Sequence, residues 1–332
     1  MGTYRLFLAV LVALSHLDVT FFGLNTGITA VVSFFLISGF VMTVLIRNNY
    51  PAQALVGAFY ADRAMRLFPQ FLFYMAATLV LVLLKPPVSP FMSDLTAGKV
   101  VQNLLMVPLN FVMWGNLGTG MLMPQAWSLG LEALFYVAIP WLVIGGLLVP
   151  AFVASAAVFL CAYFGWIDSD TWGYRLLPGT LFIFLAGSLM HGRAQWKRGA
   201  LGALFLACLA LAAALVIAPS LRHPTSLDVL SGLVVGIPVV ALLKDARLPK
   251  WDMHLGNISY GVFLNHFMVI WAFEACGVAA WTWPTLVALF ACSIVLAAIT
   301  FNVIERPVIA MRHQLRKRAD RQAGVAATVL HQ

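Results

Sequence analysis

A few side chains in this chain carry chemistry that their apolar surroundings do not explain. His16, in "ALSHLD", has the one side chain whose charge ordinarily switches near neutral pH, which makes it a natural general base. On an apolar helix such a histidine is more often a satisfied structural residue. Arg5 lies three helical turns earlier, so Arg5 and His16 share one helix face, roughly 16 Å apart. Glu132 stands in the apolar run "WSLGLEALFY", where a charge held in lipid costs about 3 kcal/mol or more. Ser128, Glu132 and Tyr136 follow at i, i+4 and i+8, so one helical stripe carries a hydroxyl, a carboxylate and a phenol. The bland reading is that Pro124 and Ser128 open a helix whose first turn tolerates the glutamate through its dipole. Arg63 and Arg66, in "DRAMRLFP", are neighbours on one helix face. They read either as charged membrane anchors or as a clamp for phosphates, which guanidinium matches bidentately. His266 follows Asn265 in "SYGVFLNHF" and shares a face with Ser259 and Phe263. A histidine beside an asparagine in mid-span points to a polar cavity rather than to lipid contact.

The elements that must position these groups are membrane helices. The chain has 332 residues, of which 62% are hydrophobic and 10% charged, with a mean hydropathy of +0.93. Soluble domains carry about 25% charged residues. A formal charge of +8 can signal nucleic-acid binding, but here the basic residues fall in short connections between apolar runs. We therefore expect an all-α polytopic membrane protein with no nucleic-acid partner. A span takes about 20 apolar residues, and ten segments qualify: 5–22, 27–46, 69–85, 129–147, 150–165, 175–191, 199–218, 226–243, 257–275 and 283–304. With the N-terminus inside, the cytosolic side receives Arg5, Arg47, Arg63, Arg66, the 193–198 and 244–250 clusters and the 306–321 tail. That is 16 of the 20 Lys and Arg, against Lys85, Lys99, Arg175 and Arg222 outside. This asymmetry predicts ten spans with both termini in the cytoplasm.

Residues 1–308 read as one transmembrane domain and 309–332 as a basic cytoplasmic tail. The proline-rich stretch 86–126 reads as a long extramembrane loop, with 100–113 as a short re-entrant or interfacial helix. The first apolar run lacks a convincing cleavage site and reads as a retained span rather than a leader. Cys161, Cys208, Cys276 and Cys292 read as small core residues, with no disulfide framework and no metal site. No internal repeat is visible.

Six motifs in order resemble the acyltransferase-three family of membrane O-acyltransferases: "RLFLAVLVALSH" from Arg5 to His16, "SFFLISGF" at 33–40, "DRAMRLFP", "WSLGLEALFY" at 127–136, "SYGVFLNH" at 259–266 and "ERP" at 305–307. Ala30 and Val32 stand where that family often has Gly and Asp, and Phe263 where it usually has tyrosine. The resemblance implies a multi-pass protein of the inner (plasma) membrane. It would transfer an acyl group, most often acetyl from acetyl-CoA, to a hydroxyl of a cell-envelope glycan, glycolipid or other sugar-containing acceptor. Acyl-CoA would be a donor substrate, with no resident cofactor. On this reading His16 is the base, and Glu132 orients its imidazole and stabilises the positive charge formed on it. Arg63, Arg66 and Arg5 hold donor phosphates, while Ser128, Tyr136 and His266 line the path or position the acceptor. The rival class is a proton-coupled transporter or flippase, using the same His and Glu as a relay. Transporters often carry internal repeats. If the clamp reading holds, Arg63→Ala raises the KM for acyl-CoA by roughly tenfold, the worth of a charge-assisted hydrogen bond, with little change for the acceptor. An unchanged dependence on acyl-CoA concentration makes Arg63 a topological anchor.

Overall fold

In the computed structural model, which describes residues 1–114, 116–192, 194–278 and 281–312, the chain is a bundle of helices. In order they are α1 (Gly2–Ser15), α2 (Thr26–Asn49), α3 (Val56–Leu84), α4 (Ala97–Leu105), α5 (Trp127–Ile144), α6 (Leu148–Tyr163), α7 (Leu177–Leu189), α8 (Gln195–Ile217), α9 (Ser226–Leu243), α10 (Lys250–Ala275) and α11 (Trp283–Thr300). Each of the ten expected apolar segments falls on one of these helices, with α4 as the extra one. Among the described residues, six helices are long and apolar enough to cross a membrane: α2, α3, α5, α8, α9 and α11, some with their flanking turns. The helices α1 and α6 are shorter apolar segments. Arg193, Arg316, Lys317, Arg318 and Arg321, and the expected tail from residue 313 onward, lie outside the described residues.

Helix α2 lies at the centre, packed on α1, α5, α7 and α9, while α10 packs on α1, α3 and α11. Two-thirds of the apolar window of α2 is buried (67%), against 11% for α8, which puts α8 on the perimeter. The helix α1 is integral to the bundle: Leu8, Ala9, Val12 and Ala13 are buried. The backbone N–H groups of Gly2 and Thr3, which have no partner within their own helix, donate to the Asp252 carboxylate at 2.7 and 2.8 Å. A side chain from α10 thus caps α1.

Three boundaries differ from expectation. The first span ends at Ser15 rather than 22, because Asp18, Phe22 and Gly23 adopt positive φ and fold a two-residue antiparallel ladder, Thr20–Phe21 with Leu24–Asn25. The third helix starts at Val56, well before 69, and runs through Pro69. A proline frees only the carbonyl four residues earlier, and membrane helices tolerate this where neighbours re-satisfy the backbone. The stretch 86–126 is no open loop. It folds into α4 and several 3₁₀ turns, and its Met106, Leu109, Leu122 and Met123 are essentially fully buried, packed largely on α5. Three of the four cysteines also sit elsewhere than expected: only Cys208 is buried, Cys161 is intermediate, and Cys276 and Cys292 are exposed. In a membrane protein the bundle's exterior is as apolar as its interior, so an apolar run does not imply burial.

The α2–α7 crossing fixes the site described next. A Cβ on Gly39 would stand 1.7 Å from the Phe184 carbonyl oxygen, and one on Gly187 would stand 2.0 Å from that of Leu36. The two backbones touch through reciprocal glycines, the small-residue packing favoured between membrane helices. Ser188 Oγ adds a hydrogen bond to the Gly39 carbonyl at 3.2 Å. Gly39→Ala is therefore expected to cost about 1–3 kcal/mol of stability, read as a lower unfolding midpoint in detergent. An unchanged midpoint means that the helices part without cost.

Candidate functional site

Two adjoining cavities hold the site residues singled out above, except Asn265 and His266, which line neither. The first, of about 140 Å³, is lined by Arg5, Ser38, Arg63, Arg66, Ser128, Glu132, Tyr136, Ser259 and Tyr260, with an apolar wall that includes Phe34, Phe35 and Met42. We call it the arginine cavity. The second, of about 300 Å³, is lined by His16, Ser15, Asn25, Gln125, Trp127, Ser128, Asp170, Tyr174, Arg175 and Thr225 among others. We call it the histidine cavity.

The helical stripe of α5 behaves as its spacing predicts, since Ser128, Glu132 and Tyr136 all face the arginine cavity. Glu132 is the sixth residue of α5, which begins at Trp127, so the first-turn reading of the glutamate does not apply. Its carboxylate accepts hydrogen bonds from Ser38 Oγ at 2.7 Å and from Tyr136 Oη at 2.6 Å, both on Oε1. Ser38 precedes Gly39, so the tight α2–α7 crossing holds the hydroxyl that anchors the glutamate.

The arginines of α3 are paired rather than bare. Arg63, 6% exposed, donates Nε and Nη2 to Asp62, while the second oxygen of Asp62 accepts from Arg312 Nε at 3.0 Å. Arg66 pairs with Glu305 and lies 4.7 Å above the Tyr260 ring, a cation–π contact. Glu305 ends the π turn Phe301–Glu305 that follows α11, a wide turn of a kind often found at functional positions. Arg5 differs: among the described residues it has no ion pair, and its buried Nε has no hydrogen-bond partner. The charge of Glu132, in the same cavity, acts on it without forming an ion pair.

His16 is the imidazole of the histidine cavity, and His266, expected to line the path, lies behind it and lines neither cavity. His16 caps the C-terminus of α1. Its ring stacks on that of His266, with centroids 5.4 Å apart and planes 13° apart, and packs on Phe267 at 4.6 Å. His266 is fully buried, and its Nδ1 lies 2.8 Å from the Phe263 carbonyl. A carbonyl can only accept, so Nδ1 carries the proton and Nε2 presents its lone pair. That Nε2 has no partner among the described residues. Arg175 bonds Asp170 at 2.7 Å and sits 4.9 Å over the Trp127 ring. Asp168 braces the turn that carries Arg175. Hydrogen bonds from the Thr171 side chain and backbone hold its carboxyl below the usual range.

The expected pairing of Glu132 with His16 is not formed. Glu132 lines one cavity and His16 the other, and the ring beside His16 is that of His266. Arg5 and His16, on one face of α1 as their spacing predicts, open onto different cavities. Sequence reasoning passed over Asp62 and Glu305 as the counter-ions of Arg63 and Arg66. Asp62 adjoins Arg63 in the chain, but consecutive helical residues point apart, and only the long arginine side chain folds back to it. Gln125, whose Nε2 donates to the Phe263 and Leu264 carbonyls, left no periodic signal at all. Among the described residues no group of His, Cys, Asp and Glu has the arrangement of a metal site.

Comparison with known proteins gives a consistent family. A family model for an acyltransferase domain, the third of the acyltransferase families, matches residues 4–302. The chain is also similar to an uncharacterised protein of Aquifex aeolicus (strain VF5), 31% identical over 204 residues, covering 58% of this chain and 91% of the relative. No solved structure matches significantly.

The Arg66–Glu305 pair is a testable structural element. Removing one partner of a buried ion pair leaves the other charge uncompensated and costs about 3–5 kcal/mol, whereas replacing both with apolar residues is often neutral. Arg66→Met is expected to lower the unfolding midpoint strongly, and the double variant Arg66→Met/Glu305→Leu to recover most of the loss. If the single and double variants unfold alike, the pair contributes nothing to stability.

Proposed function

This chain belongs to the acyltransferase-three family and is a membrane acyltransferase, and on that premise we propose that it transfers an acyl group, acetyl first among them, from acyl-CoA to a hydroxyl of a sugar-containing acceptor of the cell envelope. The observation that supports this reading is the division of the site into an arginine-lined cavity and a histidine-lined cavity that adjoin. Arg5, Arg63 and Arg66 suit the phosphates of the donor. Arg63 and Arg66 already have ion-pair partners in Asp62 and Glu305, so Arg5, which makes no ion pair among the described residues, is the guanidinium freest to turn to an entering anion. The apolar wall of the same cavity suits an acyl chain and its pantetheine arm.

An alcohol attacks a carbonyl poorly until a base removes its proton in the transition state. His16 is the base on this reading. It lines the larger cavity, where Asn25, Thr225 and Asp170 offer hydrogen-bonding partners to a polyhydroxylated acceptor. His266 supports the His16 ring by stacking, while Glu132, which lines the other cavity, is bonded to Ser38 and Tyr136. The chain would cross the plasma membrane ten times with both termini in the cytoplasm. Under the positive-inside distribution this turns the arginine cavity toward the cytosolic donor.

The reading is tested by incubating membranes with radiolabelled acetyl-CoA and following label into envelope glycans, with mass spectrometry of the same material from cells with and without the gene. Label is expected to appear only when the gene is present. His16→Ala is expected to reduce it by about 10²–10⁴-fold, the range of general-base catalysis, while the protein inserts normally. Undiminished transfer by His16→Ala removes the base from this scheme.

A further inference from the structure

Ser128 lines the wall between the two cavities, and neither half of the scheme above uses it. Three residues line both cavities: Val31, Ser128 and Phe263. Only Ser128 carries a nucleophilic atom. It is the second residue of α5 and 6% exposed, and its Oγ makes one hydrogen bond, to the Gln125 carbonyl at 3.1 Å. The four cysteines, which are intrinsically better nucleophiles, line neither cavity.

The separation of Glu132 from His16 gives this position its meaning. Glu132 lies one helical turn beyond Ser128 on the same stripe. Its Oε1 takes the bonds from Ser38 and Tyr136, and among the described residues its Oε2 accepts no hydrogen bond. His16 lies in the other cavity, which Ser128 also lines. Direct attack of an acceptor on a thioester needs one base. Two basic groups, each in a cavity that Ser128 also lines, fit a reaction divided into two half-steps.

We propose that Ser128 is a covalent acyl carrier between the two cavities, an inference that rests on the acyltransferase reading above. In the first half-step the bond from Ser128 Oγ to the acyl carbon forms and the carbon–sulfur bond of acyl-CoA breaks. The hydroxyl proton passes to Glu132 and then to the departing sulfur, which leaves as the free thiol. In the second half-step an acceptor hydroxyl loses its proton to His16 and bonds the acyl carbon. The bond to Ser128 Oγ breaks, and the proton returns to that oxygen. Acyl-CoA and alcohol become ester and CoA, with no other reactant. The donor phosphates never have to leave the arginine cavity, and the acceptor never has to enter it.

The test is isotope exchange in the purified full-length protein, with acetyl-CoA and radiolabelled CoA and no acceptor. A covalent carrier moves label from CoA into acetyl-CoA, whereas direct transfer does not. Exchange is expected in the wild type. In Ser128→Ala it should fall at least a hundredfold, while the unfolding midpoint and detergent profile stay close to wild type. His16→Ala, defective in the second half-step, should still exchange and should carry one acetyl group on the peptide containing Ser128. Ser128→Cys should yield an adduct that neutral hydroxylamine cleaves, as it does a thioester. Exchange that survives in Ser128→Ala overturns the proposal. So does a wild type that acetylates envelope glycans without exchanging CoA, and that result leaves the acyltransferase reading intact. A wild type that neither exchanges nor acetylates overturns both.

Discussion

A charge inside an apolar bundle has to find its partner within the bundle, and this requirement organises the site. Lipid supplies neither counter-ion nor hydrogen bond, so each buried ionic group is expensive unless the fold satisfies it. Asp62 is held between Arg63 and Arg312, Arg66 meets Glu305, and Glu132 is held by two hydroxyls. These contacts tie α2, α3, α5 and the segment after α11 to a common centre. Arg5 is the exception, a guanidinium whose Nε has no partner among the described residues. A guanidinium without an ion pair in so compensated a setting marks a place where a ligand's charge fits.

The glutamate shows how backbone packing becomes chemistry. Reciprocal glycines bring α2 against α7. This fixes Ser38, and with Tyr136 from its own helix Ser38 fixes one carboxylate oxygen. The other oxygen is left to the cavity. A group positioned by three helices has a defined orientation, and a reaction that needs a defined proton acceptor gains from such rigidity.

What the sequence made legible follows from what helical periodicity can carry. The stripe of Ser128, Glu132 and Tyr136, and the placing of Arg5 and His16 along one face of α1, both rest on spacing within a single helix. The ten apolar segments rest on local composition. Spacing says nothing about which helix lies opposite, so the stacking of His16 on His266 and the pairing of Arg66 with Glu305 were out of reach. For the same reason Glu132 was matched with His16 when it belongs with Ser38. The stretch 86–126 misled in another way. Its prolines and glycines signal turns correctly, but turns can be buried when their side chains are Met106, Leu109 and Leu122. Pro69 likewise stood at the expected start of the third span, and in a crowded bundle it is only a missing hydrogen bond inside α3.

The distance along the chain between Arg66 and Glu305 bears on how the protein is made. Ribosomal synthesis delivers N-terminal segments first, so α3 emerges with its cations long before the residue that neutralises one of them exists. Until the segment after α11 arrives, Arg66 lacks its carboxylate and can turn only to water, lipid phosphate or, once α10 is made, the Tyr260 ring. The ion pairs that α3 makes with Glu305 and Arg312 are therefore among the last to form, and a nascent chain cut short before Glu305 would leave both Arg66 and Asp62 without these partners.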